Sequence, residues 1–224
     1  MNNGTDKDNP RIISLGQIEI NPDKFNSEPN PDALPILATQ NLVLFPGVTT
    51  PLALVREQSK QIAQMAYETG TPIGVVCQLD PEVENPSIDQ LQQFGVVADV
   101  LKIFDLPDGQ RTALVRARNK FQVLGYSDRY SFDGRIHLKV MMLKEQKPRK
   151  NDMTFPAIVK AVKELMLKLL RNMEGAQDFV HNIQNYPDSV GLINMICSQS
   201  PFSSSVKGAL LAENNIKERA RTLL

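Results

Sequence analysis

Arg135-Ile136-His137-Leu138-Lys139-Val140-Met141-Met142-Leu143 runs directly into Lys144-Glu145-Gln146-Lys147-Pro148-Arg149-Lys150, and the reading of these two stretches decides the fold. In the first, Ile136, Leu138, Val140 and Met142 oppose Arg135, His137 and Lys139, the period of a strand with one apolar face. Beyond the second, Ile158, Val162, Leu165 and Leu169 step by four, three and four. That spacing draws an apolar stripe on a helix which Pro156 can begin at its first turn. Period two therefore gives way to period 3.6 across a charged stretch. The expected fold class is α+β, with a β-rich part over residues 34–146 and an all-helical part over residues 147–224.

Upstream, apolar runs alternate with turn signals: Leu34 to Leu37, Leu42 to Phe45, Leu52 to Val55, Ile73 to Cys77, Val96 to Phe104, Thr112 to Arg118 and Phe121 to Leu124. Ala113, Val115 and Ala117 face opposite to Leu114, Arg116 and Arg118, so this strand too should have one wet face. Between Phe104 and Thr112, Pro107 presets φ and Gly109 accepts a positive φ, which predicts a hairpin. A helix is expected over Ser59 to Thr69, ended by Gly70 and Pro72, and a helical turn capped by Ser87 near Ser87 to Phe94. Strands with embedded short helices suggest a closed or half-closed barrel, because a flat sheet would leave more edge than the sequence protects. Residues 1–33 are rich in Asn, Asp, Pro and Ser, with one apolar patch from Ile12 to Leu15. They read as a flexible leader that buries too little to offset its ordering entropy.

Downstream, Ala176, Phe179, Val180 and Ile183 form one helical face, and Leu192, Ile193, Ile196 and Cys197 the next. Val206, Leu210 and Leu211 follow a restart at Pro201-Phe202-Ser203. Ile216, Ala220 and Leu223 hold helical spacing to the last residue, which suggests that the chain is cut within an element.

No apolar run approaches a membrane span, and the N-terminus has neither the basic nor the apolar region of a secretory signal, so a soluble cytoplasmic protein is expected. Cys77 and Cys197 lie in apolar runs and read as reduced core thiols. The net charge is +0 but unevenly distributed. Residues 1–101 hold five basic and thirteen acidic side chains, net −8; residues 102–150 carry +7, and the remainder +1.

Phosphate-binding glycine loops, zinc-protease helices, nucleophile elbows and paired-cysteine motifs are all missing, so no catalytic, cofactor-binding or metal residue is nominated. His137, on a wet strand face, and His181, in a helix, read as structural or surface residues. Asp80 to Asn85 reads as a solvated turn, lacking the mid-loop Gly and closing Glu of a calcium loop. Arg111, Arg116, Arg118, Lys120, Arg129, Arg135 and Lys139 could line a phosphate-facing strip with Tyr126, Tyr130 and Phe132 for stacking, although solvated strand faces are the plainer reading.

A series of motifs adds a resemblance. Leu34-Pro35-Ile36-Leu37, Asn41-Leu42-Val43-Leu44-Phe45-Pro46-Gly47-Val48, Pro51-Leu52 and Arg56-Glu57-Gln58-Ser59 resemble the opening of the Lon protease N-terminal domain. Gln78-Leu79-Asp80-Pro81-Glu82, Phe94-Gly95-Val96-Val97-Ala98 and Leu106-Pro107-Asp108-Gly109 follow in the family's order. Pro187-Asp188 to Leu192-Ile193, and Leu210-Leu211-Ala212 to Ile216-Lys217-Glu218-Arg219 with Leu223-Leu224, resemble the helical segment leading to the Lon motor, so the likeness spans residues 34–224. Ala38-Thr39-Gln40 and Thr49-Thr50 depart from the family pattern.

The resemblance implies a PUA-like barrel followed by a helical bundle, within a hexameric ATP-dependent serine protease that degrades misfolded and tagged proteins. ATP, Mg and the Ser-Lys dyad would belong to parts absent from this chain. Expected partners are unfolded or degron-bearing polypeptides, the rest of a Lon chain and further copies of it, with no role for a membrane. A stand-alone adaptor and a nucleic-acid reader using residues 102–150 are the alternatives. The residues that touch substrate are not legible; Phe45-Pro46-Gly47 reads as a structural turn with Phe45 packed into the barrel.

Overall fold

A computed structural model describes residues 25–107, 109–128, 135–171 and 173–224. Among the described residues there are six strands and six helices, beginning with β1 (Leu34–Thr39), β2 (Thr49–Ala53), α1 (Glu57–Thr69), β3 (Ile73–Cys77), β4 (Phe94–Asp105), β5 (Arg111–Tyr126) and β6 (His137–Met142). Then come α2 (Thr154–Leu170), α3 (Gln177–Asn185), α4 (Ser189–Gln199), α5 (Ser204–Ala212) and α6 (Ile216–Thr222). The α+β class holds.

β5 explains the shape of the sheet. Its first half pairs with β2 and its second with β6, while β4 lies along its other edge. The strand order is β2-β5-β4-β3-β1-β6 with an added β5–β6 pairing, so β5, β4, β3, β1 and β6 close a ring and β2 remains an outer edge. Thr112 to Arg118 and Phe121 to Leu124, expected as separate runs, are one strand that bends at register shifts instead of turning. Leu34, Ile36, Val76, Val97, Phe121, Leu138 and Val140, drawn from every strand of the ring, fill its interior. A Cβ on Gly95 would lie 2.6 Å from the Phe121 ring and 2.8 Å from the Val75 carbonyl, so the ring closes only around a residue without a side chain.

The opposite faces of the same strands are buried as well. Val75, Cys77, Val96, Ala98, Val100, Val115 and Ala117 pack in one continuous core with Ile62, Ala63 and Ala66 of α1 and with apolar residues of all the later helices. β3 is therefore buried throughout and reads as an apolar run without alternation. Gly70, at φ 67°, ends α1, and Gly109, at φ 81°, turns the β4–β5 hairpin as expected. Ser87 caps a 3-10 turn at Ile88–Gln90.

Several expectations are corrected. Val43, Leu44 and Phe45 are buried but form no ladder; the run is an irregular plug between β1 and β2. The stripe that α2 buries is Phe155, Val159, Val162, Met166 and Leu170, one position along from the predicted one, and Leu169 faces outward. Val206 is likewise exposed on α5.

The attached chain begins before Leu34. Phe25 is buried against Leu101 and Leu114, which covers the face of β5 expected to be wet; the Ser27 carbonyl accepts from Arg118 and the Pro31 carbonyl from the Val140 N–H. The leader reading of residues 1–24 lies outside the described residues. Residues 144–146, read as a charged boundary, are tied down by α6: the Gln146 N–H donates to the Asn214 carbonyl, and the Gln146 carbonyl accepts from the Ile216 N–H. Among the described residues no helix is long and apolar enough to cross a membrane.

Candidate functional site

Three places concentrate unusual features: a buried polar joint between ring and helices, a groove beside the free edge of β2, and exposed apolar side chains on β5 and β6. The joint is built around Phe45-Pro46-Gly47. Gly47, at φ 80°, lets the chain turn so that its N–H donates to the Ala117 carbonyl at 3.0 Å and the Pro46 carbonyl faces outward from the ring. That carbonyl accepts from Asn194 Nδ2 of α4 at 3.0 Å. Asn194 Oδ1 in turn accepts from Arg219 of α6 at 2.5 Å, and Arg219 also donates to Glu145 (2.5 Å) and to the Glu213 carbonyl (2.6 Å). The Arg219 side chain is 0% exposed and its guanidinium stands 5.6 Å from the Phe45 ring centre. Phe45 thus packs inward as expected, while its loop also receives the helical part.

Lys120 makes a second tie. Its ammonium leaves β5 and donates to the carbonyls of Leu211 (2.8 Å), Ala212 and Glu213 (3.2 Å each), the acceptors at the end of α5 that have no partner within the helix. Burial, with the nearby Arg219 charge in a lesser role, pushes its pKa down to about 8. Burial likewise pushes the Cys197 thiol up to about 12, and the Cys77 thiol upward, so both core thiols stay protonated.

These contacts also dismantle the phosphate-facing strip. Arg111 pairs with Asp105, Arg116 and Arg118 with the buried Asp99, and Lys139 with Asp128, while Lys120 is enclosed. Arg116, Arg118 and Lys120 are thus answered from outside residues 102–150, by Asp99 and by the carbonyls at the end of α5. Arg129, Tyr130 and Phe132 lie outside the described residues. Tyr126 is exposed, and its hydroxyl accepts from the Ile88 N–H at 3.1 Å.

His137 is half-buried on β6, its Nδ1 3.3 Å from the Arg135 carbonyl oxygen, and His181 is exposed on α3. No metal-holding group of three or more His, Cys, Asp or Glu occurs among the described residues.

The groove lies between the C-terminal end of β1 and the outer edge of β2, a cavity of about 360 Å³ lined by Leu37, Thr39, Leu42, Leu52, Val55 and Arg56 among others. In an antiparallel ladder alternate residues direct their N–H and C=O to opposite edges. The Leu54 N–H donates to the Arg111 carbonyl and the Val48 carbonyl accepts from Ala117, so the even-numbered residues serve β5. The main-chain groups of Thr49, Pro51 and Ala53 therefore point away from the sheet, with no partner among the described residues. Val55, 69% exposed, stands at the end of this edge.

Arg56 fixes the far rim by donating to Gln78 Oε1 (2.7 Å) and to the Val83 carbonyl (2.8 Å), and Gln40 Nε2 donates to the Pro81 carbonyl (3.2 Å). The loop Asp80 to Asn85 is thereby held beside the groove. It is solvent-facing as expected, and Asp80, Glu82 and Glu84 form no ion pair among the described residues. A third feature is apolar: Leu124 and Tyr126 of β5 and Met141 of β6 are exposed.

Sequence reading found the turn at Phe45 but not its partners. Arg219 carried a signal, because it shares the helical face of Ile216, Ala220 and Leu223 and so had to be buried. Glu145 and Asn194 come from distant segments, and nothing local marks them.

A ring-shaped β-barrel joined to helices by a polar joint, with one open strand edge, defines by its fold a class of α+β barrel-and-helix module. The model of the ATP-dependent protease La (LON) substrate-binding domain matches residues 33–224, and the chain belongs to that family. It is 33% identical over 194 residues to a Lon protease of Parabacteroides distasonis, a match that covers 86% of this chain and 23% of that protein. It is also 33% identical over 201 residues to a Lon protease of Flavobacterium johnsoniae, with coverages of 88% and 24%. The chain thus spans about a quarter of the length of the curated relatives it matches.

Among solved structures, the N-terminal domain of Mycobacterium avium complex Lon protease superposes with TM-score 0.66 at 21% identity, covering 85% of this chain and 95% of that one. The Lon N-terminal domain protein from Xanthomonas campestris gives 0.59 at 17% identity, with coverages of 85% and 96%. At those identities the likeness concerns the fold.

Proposed function

We propose that this chain is the substrate-recognition and assembly module of an ATP-dependent Lon serine protease of the cytoplasm, and that it binds unfolded or degron-bearing polypeptide from misfolded and regulatory proteins. The observation that carries this reading is membership of the LON substrate-binding family over residues 33–224. The exposed Leu124, Tyr126 and Met141 support it, since unfolded clients present apolar side chains in extended form. In this reading the chain itself neither hydrolyses ATP nor cuts peptides. ATP, Mg and the Ser-Lys dyad are supplied by further domains of a hexameric parent. The nucleic-acid alternative loses its main motive, because the arginines and lysines that suggested it largely answer carboxylates and carbonyls of this chain.

Photo-crosslinking of the purified chain to a denatured model client tests the proposal. Adducts formed by the unfolded client and lost with its native form are expected. A chain that forms none at saturating client removes the recognition role.

A further inference from the structure

We infer that the free edge of β2 accepts one extended polypeptide segment as an added strand, and that the preferred segment carries an apolar side chain with Lys or Arg close by. This rests on the client-binding reading above and names where and what that surface binds. Three observations carry it. The first is the row of unsatisfied main-chain groups. Thr49 and Ala53 each offer an N–H and a C=O to the open side, and Pro51 between them offers a carbonyl alone. A short peptide can pair at Thr49 and Ala53, whereas the missing donor at Pro51 discourages long edge-to-edge pairing between copies of the protein.

The second is the groove that runs along this edge. Leu37, Leu42 and Leu52 contribute apolar lining, and Val55 is left in solvent, so a side chain of the added strand has a place to be buried. The third is charge. Asp80, Glu82 and Glu84 are held beside the groove through Arg56 and Gln40 and form no ion pair among the described residues, whereas Glu57, one residue beyond Arg56, pairs with Lys60 at 3.4 Å. An acidic rim against an apolar trough favours a basic-flanked apolar segment and repels an acidic one.

The test uses the whole chain and three fluorescent nine-residue peptides. One alternates Val and Leu with Ser and has Lys at both ends, its twin ends in Glu, and the third is the Lys peptide with alternate backbone nitrogens methylated. By anisotropy at low salt, the Lys peptide is expected to bind about tenfold more tightly than the Glu peptide, with the ratio collapsing toward one at high salt. Methylation on the edge facing β2 should weaken it at least about tenfold.

Two variants place the site. Ala53→Pro removes a donor that β5 does not use, and Glu82→Lys combined with Glu84→Lys reverses the rim. The first should lose binding of the Lys peptide, and the second should invert the preference. Unchanged affinity for the methylated peptide on the unmodified protein overturns strand addition whether or not Ala53→Pro folds, and equal affinity for the Lys and Glu peptides overturns the charge preference. Should denatured clients crosslink equally to the folded Ala53→Pro protein, the β2 site falls while client recognition stands. Should no client crosslink to any form, the recognition reading itself falls.

Discussion

Arg219 and Lys120 are the two large charged side chains that this fold encloses, and each is held by acceptors from another part of the chain. Removing one member of a buried pair is costlier than removing both, because the survivor stays desolvated without its partner. Arg219→Ala should therefore lower stability by about 3 to 5 kcal/mol. Arg219→Met combined with Glu145→Leu should cost less than the sum of the single changes, a non-additivity that urea unfolding of the four proteins measures.

Lys120→Met should cost about 2 to 3 kcal/mol near neutral pH by leaving the last carbonyls of α5 unpaired. Its pH dependence has a definite sign. The folded-state pKa, about 8, lies below the ordinary 10.5, so between these values the unfolded chain binds the extra proton. The stability this group contributes is therefore at its lower level below about 8, rises as pH climbs from there to 10.5, and is constant above that. Unfolding free energies of the natural and Lys120→Met chains at pH 7.5 and 9.5 check it: the gap between them should widen at the higher pH.

Among elements, the helices separate what sequence reading reached from what it missed. Spacing located α2 but placed its core stripe one position off, because a helix with Leu and Met on several sides offers more than one apolar face and only packing against α3, α4 and α6 selects Phe155, Val159, Val162, Met166 and Leu170. Leu42 to Phe45 has strand composition yet forms no ladder, since Pro46 and the positive φ at Gly47 turn it into a plug. The long β5 looked like two runs because Lys120 interrupts its alternation, and that Lys is there to reach α5. The groove was not legible at all: an edge strand is defined by a neighbour that is missing, which no residue of the strand announces.

Asp152 shows how one side chain joins elements. It accepts from the N–H groups of Thr154 (2.9 Å) and Phe155 (3.2 Å) at the start of α2, and from Lys217 of α6 at 2.8 Å. The Lys217 contact, then the Thr154 hydroxyl, hold its carboxyl far below the ordinary 3.8. A depressed carboxyl contributes stability above its unfolded value and loses it as pH falls below that value toward the folded one. Asp152→Asn should accordingly melt at a lower temperature than the natural chain at pH 6, and the two should converge progressively below about pH 4, as a series of thermal melts would show.

At the scale of the whole molecule, the charged stretch that reads as a boundary does not divide the core. Apolar residues of α1 and the strands continue without a break into α2, α4, α5 and α6, and residues 144–146 bond to residues 214–216 across the apparent linker. Phe45, Asn194 and Arg219 then lock ring to helices from opposite ends of the sequence. Coupling of this kind makes ring and helices one cooperative unit, because opening either part uncovers apolar surface and the buried charges of the other. Hydrogen exchange read on peptides from β5 and from α4 should therefore give one common urea midpoint. A chain ending at Gln146, which would leave Phe45 and Lys120 without their helical partners, should show no sharp melt. Separate midpoints for β5 and α4, or a sharp transition in the shortened chain, would instead establish two independently folding parts, and the joint at Phe45 would then be a docking contact between finished units.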